Sequence, residues 1–183
     1  MLGAPFTVED LHSRDDWPEI EETADTFLGN ATLKALGISA LYGGLVLSDD
    51  SGLEVDALDG EPGVRSARYA GEHATDAENR LLLLERMKGA RGKGRGARFR
   101  CVMVLARSGG VLALFSGTVE GIIINAERGD HGFGYDSLFV PEGYCETFAQ
   151  LPAETKNQLS HRARALQGVI EFLSRKQCSE TDR

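Results

Sequence analysis

The chain has few of the residues that mark secreted or membrane proteins. Its three cysteines, Cys101, Cys145 and Cys178, are far apart and form no C-x-x-C pair. Such a set fits reduced thiols better than a disulfide framework or a zinc site. No apolar run approaches the ~20 residues that span a bilayer, and residues 1–10 show no signal-peptide pattern. We therefore expect a cytoplasmic protein without a membrane partner.

Positive charge is also in short supply. The 20 basic residues are outnumbered by 28 acidic ones, which leaves a formal charge of −8. This balance disfavours binding along a nucleic-acid polymer but allows a local basic cleft for a small anion. The one strong basic run, residues 91–100, alternates with glycine as RNA-binding segments do, yet it merges into a predicted strand. An exposed shoulder of a hairpin is the favoured interpretation, with RNA binding as the alternative.

Proline is scarce, with five residues against 22 glycines, and 42% of the chain is hydrophobic. This is the composition of a soluble globular protein, and the length predicts one domain over residues 1–183. Periodicity predicts helices at 19–36, 76–89 and 163–173, the first ending at Gly37, the second opened by a Thr75–Glu78 capping box, and a frayed tail at 174–183. Strands are predicted at 45–47, 53–57, 97–107, 111–124 and 137–140. The interleaving indicates an α/β fold with a mixed sheet.

An acidic pair, Asp49 and Asp50, lies at what we predict to be a turn between two strands. Neighbours in an extended segment point to opposite faces, so only one of them enters a given cleft. A carboxylate at a strand end suits Mg²⁺, which takes one or two such ligands and leaves its other positions to water and phosphates. The alternative is a structural role, because aspartate also accepts backbone hydrogen bonds in turns.

Two further clusters carry polar and aromatic groups. Residues 132–136 read Gly-Phe-Gly-Tyr-Asp, which fits either a loop around a flat heterocycle or a tight turn with both aromatics in the core. The second cluster contains Lys156, Ser160, His161 and Arg162, which share no single helical face. A break near Ser160 would make it the N-cap of the last helix, whose first turn favours anions and acceptor oxygens. A solvated helix face with a capping serine is the alternative.

Four short motifs occur in a characteristic order along the chain. They are 49–58 (DDSGLEVDAL), 63–71 (GVRSARYAG), 133–136 (FGYD) and 160–162 (SHR). Together they resemble the inosine/xanthosine triphosphate pyrophosphatase family. The resemblance implies an elongated α/β fold with a mixed sheet and two lobes around a central substrate cleft. It also implies a homodimer and Mg²⁺-dependent hydrolysis of inosine (ITP), deoxyinosine (dITP) and xanthosine (XTP) triphosphates to the monophosphate and pyrophosphate, which cleanses the nucleotide pool.

Site residues follow from the resemblance by position. It implies that Asp50 is the general base and a Mg²⁺ ligand, with Asp49 a weaker candidate ligand. The implied substrate-binding residues are Ser51, Phe133, Gly134, Tyr135, Asp136, Lys156, His161 and Arg162. An oxo-purine would be selected over adenine if His161 or Arg162 donates to the 6-oxo group, because adenine would present a donor to that donor.

The sequence departs from the family in two places. Members begin with a strand and a Thr/Ser-x-Asn-x-x-Lys loop that grips the triphosphate, whereas residues 1–7 resemble the end of the helix after that loop. The first strand and the phosphate loop are therefore predicted to be absent from this chain. In addition, Gly29 stands where the family has a metal-binding glutamate. The alternative function is thus a catalytically impaired homologue that binds purine nucleotides.

Overall fold

The computed structural model describes residues 7–11 and 17–181. The prediction that the chain starts after a phosphate loop falls mainly on residues 1–6, which lie outside the described residues. The helices are α1 (Phe27–Tyr42), α2 (Asp76–Arg86), α3 (Ala153–Leu159) and α4 (His161–Thr181), and the strands are β1 (Leu45–Val55), β2 (Gly96–Arg107), β3 (Gly110–Ile123) and β4 (Phe139–Pro141). A 3-10 segment covers Gly63–Arg68.

The four strands form one sheet in the order β1-β2-β3-β4. Every neighbouring pair is antiparallel. The α/β fold class is confirmed, but the predicted mixed sheet is wrong for the described part of the chain. Each strand pairs with its neighbour in sequence and reverses direction, and a parallel pair would require a crossover past another strand. The arrangement into two lobes stays a prediction.

Strand β1 runs without interruption through the acidic pair. Asp49 and Asp50 lie opposite Met103 and Val102 of β2, in the middle of the strand pairing. The predicted turn at residues 49–52 is therefore wrong, because β2 pairs with this segment along its whole length. Gly52 serves close packing instead, since a Cβ there would lie 2.4 Å from the carbonyl oxygen of Gly63.

The first helix begins and ends later than its periodicity predicts. It spans Phe27–Tyr42 after Thr26, whose hydroxyl accepts a hydrogen bond from the first turn. It ends at Gly43, whose φ of 64° is the left-handed conformation typical of a helix end. Gly37 does not stop the helix. Its missing side chain makes room for Ile20, whose Cδ1 would lie 2.8 Å from a Cβ at this position.

Several local predictions are confirmed. Thr75 and Glu78 form the reciprocal capping box at the start of α2. The strands predicted at 97–107 and 111–124 correspond to β2 and β3, which pair as a hairpin. The last helix extends to Thr181, and the fraying expected from residue 174 stays a prediction. Residues 174–181 contain neither glycine nor proline, which would interrupt the helical hydrogen bonds.

Helices cover both faces of the sheet. Residues of β2 alternate between the faces, so Val104 and Ala106 pack against α1 while Cys101, Met103 and Leu105 pack against α4. The predicted core position of Cys101 is confirmed. A third cluster joins the far end of the sheet to α2 and to residues 135–151, with members Leu53, Val55, Leu83, Met87, Ala97, Phe99, Val119, Ile123, Tyr135, Leu138, Phe139, Phe148 and Leu151. Among the described helices, none combines the length and the hydropathy needed to cross a membrane.

Candidate functional site

A cleft of about 310 Å³ opens where β1, α2, the loop before β4 and the start of α4 meet. This volume lies in the range of small-molecule sites. Its lining residues are Ser51, Gly52, Ser66, Ala67, Asp76, Phe99, Phe133, Gly134, Tyr135, Asp136, Lys156, Asn157, Ser160, His161 and Arg162. All eight residues that the resemblance assigns to substrate binding are among them. The acids Asp49 and Asp50 are not.

One wall of the cleft carries an exposed aromatic ring. Phe133 is 65% exposed, and Lys156 Nζ and Arg162 Cζ lie 5.1 and 5.8 Å from its ring centroid. Lys156 also pairs with Asp136, which accepts a hydrogen bond from the Phe133 N–H at 2.9 Å. The ring thus offers a flat face with cations beside it, a setting suited to a planar, electron-rich ligand.

The second aromatic of this segment has a different position. Tyr135 is buried, and its hydroxyl donates to the carbonyl oxygen of Ser66 at 2.9 Å. Burial raises the pKa of Tyr135, so the phenol stays protonated. The two aromatics of residues 132–136 therefore differ, because Phe133 faces the cleft while Tyr135 belongs to the core. Binding of a heterocycle by this loop stays a prediction.

His161 is a largely buried polar residue in the wall of the cleft. Its ring stacks on Phe99 with centroids 5.0 Å apart and planes at 10°, and the residue is only 8% exposed. Burial, followed by the charges of Arg162 and Lys156, lowers the pKa of His161 to about 3. At neutral pH the ring is uncharged, with one N–H donor and one acceptor nitrogen. Within the described chain Nδ1 has no hydrogen-bond partner, so a ligand group there would replace a missing bond.

The predicted break at Ser160 is confirmed. Ser160 ends α3 in an extended conformation with ψ of 154°, and its hydroxyl accepts from the Ala163 N–H at 3.2 Å as the N-cap of α4. His161 and Arg162 consequently occupy the first turn of a 21-residue helix. The unpaired N–H groups of such a turn favour anions and acceptor oxygens.

The acidic pair is divided between the two faces of β1, as predicted. On the α4 face, Asp49 accepts a hydrogen bond from Arg162 Nε at 3.1 Å. On the α1 face, Asp50 accepts from Asn30 Nδ2 at 3.1 Å and from the Ser51 N–H at 2.8 Å. Asp49 thus orients a cation of the cleft, while Asp50 lies next to a cleft residue with its carboxylate turned towards α1.

Asp50 has the electrostatics of a candidate base. It is only 8% exposed, and burial, with a smaller contribution from Glu22, raises its pKa against the lowering effects of Asn30 and Lys34. A carboxyl with a raised pKa is a better proton acceptor at neutral pH. Sequence reasoning missed Asn30 and Lys34, although polar residues four apart on an otherwise apolar helix were a usable signal.

The chain is similar to known proteins over most of its length. The model of the Ham1 family matches residues 1–172. The chain belongs to the Ham1 family. A dITP/XTP pyrophosphatase of Geobacter sulfurreducens is 48% identical over 164 residues, which cover 90% of this chain and 82% of the relative. One of Exiguobacterium sibiricum is 48% identical over 175 residues, or 95% of this chain and 88% of the relative.

Solved structures agree with the family assignment. The Staphylococcus aureus Ham1 protein superposes with a TM-score of 0.82 at 41% identity, over 88% of this chain and 82% of that one. A nucleoside-triphosphatase, dITP/XTP pyrophosphatase, from Mycobacterium abscessus gives 0.76 at 39% identity, over 89% and 83% of the two chains. The α/β architecture described above is thus the Ham1 architecture.

The side chains of this Ham1-family chain that could coordinate a divalent ion fit such a site only in part. Among residues 7–11 and 17–181, no group of three or more histidine, cysteine or acidic side chains could hold a metal. Asp49 is paired with Arg162. At Gly29, where the family has a metal-binding glutamate, a Cβ would lie 2.5 Å from the Cβ of Ala24. This leaves Asp50 as the candidate ligand. One carboxylate fits Mg²⁺ that arrives with phosphate oxygens and water as its other ligands.

The basic run at residues 91–100 contacts the protein itself. Arg98 pairs with Asp56 at 2.8 Å and with Glu120 at 3.1 Å. Arg95 Nη2 donates to the Ile124 carbonyl at 3.0 Å. These contacts support the interpretation of the run as the shoulder of the β2–β3 hairpin, because the guanidinium groups are engaged within the fold.

Proposed function

We propose that this chain hydrolyses deaminated purine nucleoside triphosphates, namely ITP, dITP and XTP, to the monophosphate and pyrophosphate. The observation that carries the proposal is the convergence of Phe133, Lys156, His161 and Arg162 on one cleft. Curated relatives with the same activity in their names match most of the chain. Together they support an enzyme that removes non-standard purines from the nucleotide pool.

Selection of the base rests on the polar side of the cleft. Neutral His161 and the guanidinium of Arg162 can donate to a 6-oxo group, whereas adenine carries an amino donor at the same position. A buried donor left without an acceptor costs about 1–3 kcal/mol, which corresponds to roughly 5–150-fold in binding. Phe133 contributes stacking that every purine shares, so it supports affinity and not this discrimination.

The hydrolytic step is assigned to Asp50. Its carboxylate lies on the α1 face of β1 beside the cleft residue Ser51, so the assignment requires a substrate whose base enters the cleft and whose phosphates extend past Ser51 to that face. With its raised pKa, Asp50 accepts a proton from a water that attacks the α-phosphorus. Mg²⁺, when bound, supplies positive charge for the leaving pyrophosphate.

The test is pyrophosphate release from ITP and from ATP by the wild type and by Asp50→Asn. We expect ITP to be preferred, and we expect the variant to lose ~100-fold or more, since a general base contributes 10²–10⁴-fold. Asp59→Asn is the matched control, because Asp59 is exposed and already has a left-handed φ of 53°, which asparagine also adopts. Equal rates for wild type and Asp50→Asn would reject this base.

A nucleotide-binding protein without catalysis is the second candidate, and Gly29 favours it because the family's metal-binding glutamate is missing there. Calorimetry with inosine monophosphate separates the two functions. Micromolar binding without pyrophosphate release from ITP at any Mg²⁺ concentration would select the binding protein. Turnover that requires Mg²⁺ and stops with EDTA would select the enzyme.

Mg²⁺ dependence, a homodimer and a cytoplasmic location are further parts of the proposal. Their support is the family resemblance, together with unpaired Cys101 and Cys145 for a reducing compartment. Light scattering on the purified protein tests the dimer, for which a mass of about twice 19.8 kDa is expected. A monomer over the whole working concentration range would contradict it.

A further inference from the structure

One residue of the cleft wall, Gly134, is held at both of its backbone groups by side chains of α2. Its N–H donates to Asp76 Oδ2 at 2.6 Å. Its carbonyl oxygen accepts from Arg80 Nη1 at 2.9 Å. Asp76 and Arg80 are four residues apart on α2 and so share one helical face. We call this arrangement the α2 clamp.

The clamp is itself fixed in place. Arg80 Nε lies 2.8 Å from Glu127 Oε2, and Glu127 in turn accepts from Ser137 Oγ at 2.8 Å. The Arg80 side chain is only 18% exposed. A planar guanidinium that forms an ion pair with a carboxylate and donates a hydrogen bond to a carbonyl has little rotational freedom, so it can hold Gly134 in one position.

Helix α2 also contacts a second segment of the cleft wall. Asn79 is 2% exposed, donates to the Ala67 carbonyl at 3.0 Å and accepts from the Ala70 N–H at 2.8 Å. Ala67 lines the cleft. The helix therefore contacts two segments of the cleft wall, at Ala67 and at Gly134.

Gly134 is the point where the anchored part of the loop meets the exposed part. It adopts a φ of 58°, a left-handed conformation that favours glycine. Tyr135 on one side is buried in the core, while Phe133 on the other side is 65% exposed. Because the exposed Phe133 ring contacts mainly the long side chains of Lys156 and Arg162, its direction also depends on the backbone at Gly134.

We propose that Asp76 and Arg80 are positioning residues that hold the Phe133 ring over the nucleobase site. They act through the backbone of Gly134 and set affinity for the base, with no part in the attack on phosphorus. This inference rests on the proposed function of the cleft. It predicts that loss of either clamp bond weakens binding of the nucleoside part of a ligand and leaves binding of the phosphate part unchanged.

The kinetic experiment compares Arg80→Ala with Arg86→Ala. Arg86 is in the same helix, pairs with Glu61 at 3.1 Å and does not line the cleft, which makes it a matched control. We expect Arg80→Ala to raise the KM for ITP and the inhibition constant of inosine monophosphate roughly tenfold, the loss of one charge-assisted hydrogen bond. The kcat and the inhibition constant of pyrophosphate should stay within about twofold of wild type. Arg86→Ala should change none of the four.

Conservative variants separate positioning from general stability. In Asp76→Asn an acceptor oxygen remains for the Gly134 N–H, so inosine monophosphate should bind nearly as in wild type, whereas Asp76→Ala should resemble Arg80→Ala. Arg80→Lys should recover part of the affinity, because one ammonium can reach the carbonyl or Glu127 but lacks the planar fork that contacts both. A parallel fall of kcat, pyrophosphate affinity and thermal stability in the alanine variants would overturn the positioning role.

A second measurement does not depend on activity. Amide hydrogen exchange at residues 132–136 should become faster in Asp76→Ala and Arg80→Ala and stay unchanged in Arg86→Ala. Unchanged exchange in the first two variants would overturn the clamp even if the enzyme is active. A wild type that neither hydrolyses ITP nor binds inosine monophosphate would refute the proposed function, while the exchange result would still decide the clamp.

Discussion

His161 is buried as a neutral imidazole, so acid should destabilise the protein through this one residue. Its pKa falls from 6.5 to about 3 because the ring is buried and because Arg162 and Lys156 lie nearby. In the unfolded chain the same side chain takes up a proton near pH 6.5. Between these two values the unfolded state binds more protons than the folded state, so stability falls as the pH is lowered from 6.5 towards 3.

The magnitude follows from proton linkage. At pH 5 an unfolded histidine is about 97% protonated, and the free energy of unfolding loses about 2 kcal/mol relative to pH 7. For a domain of this size the corresponding fall in Tm is roughly 4–8 °C. Asp50 acts in the opposite sense, because its raised pKa lets the folded state take up a proton more readily than the unfolded state. The effect of His161 must therefore be measured as a difference between variants.

Urea unfolding at pH 7 and pH 5 of the wild type, His161→Gln and His73→Gln measures that difference. His73 is exposed and controls for the loss of a histidine. Wild type and His73→Gln should each lose about 2 kcal/mol more than His161→Gln between the two pH values. Equal losses in all three proteins would refute the reasoning, as would an NMR titration of the His161 ring with a midpoint near 6.5.

Two predictions concern packing around the site. Leu83→Ala removes a fully buried side chain of α2 and should cost about 2–5 kcal/mol in urea unfolding, whereas Leu81→Ala, at 64% exposure, should cost about 0.5 kcal/mol or less; equal costs would contradict the orientation of α2. Gly117→Ala would put a Cβ 2.1 Å from the His161 carbonyl oxygen, so α4 must shift. ITP turnover should fall by ~100-fold, the order expected for a misplacement of 1 Å, and Gly110→Ala in the same strand, 3.6 Å from its nearest neighbour, is the control. Normal turnover in Gly117→Ala would show that the start of α4 tolerates displacement.

The correct secondary-structure predictions depend on residues that are close in sequence. Thr75 and Glu78 exchange hydrogen bonds within one helical turn, and Ser160 caps the residue three positions on. Gly109, with a φ of 75°, lies in the tight connection between β2 and β3. Each signal is complete within about four residues, so no distant partner is needed to interpret it.

The wrong predictions concern residues whose contacts are distant in sequence. Residues 49–52 contain turn-forming residue types, yet pairing with residues 100–103 holds them in a strand. Gly37 has the composition of a helix end, but it lies within α1 because Ile20 packs against it. Tertiary contacts of this kind outweigh local propensity, since extended pairing and burial stabilise the chain more than turn preference does.

The cleft was predictable to the extent that its motifs are short and ordered. Residues 133–136 and 160–162, together with Lys156, contain eight positions that line it. The clamp residues Asp76 and Arg80 were missed, because they lie 58 and 54 residues from the glycine that they bind. A pair of charged residues four apart on a helix indicates a shared face but not what that face contacts.

The order of residues along the chain therefore sufficed to identify the chemical groups, the family and the opposite directions of Asp49 and Asp50, since alternation is a property of any extended strand. Only the tertiary structure shows which acid pairs with Arg162, which aromatic ring lies outside the core and which residues hold Gly134. These contacts form because β2, α2 and α4 lie near β1 in the fold although they are distant from it in sequence. Burial and electrostatic neighbours, which set the pKa values of Asp50 and His161, exist only once that packing has formed.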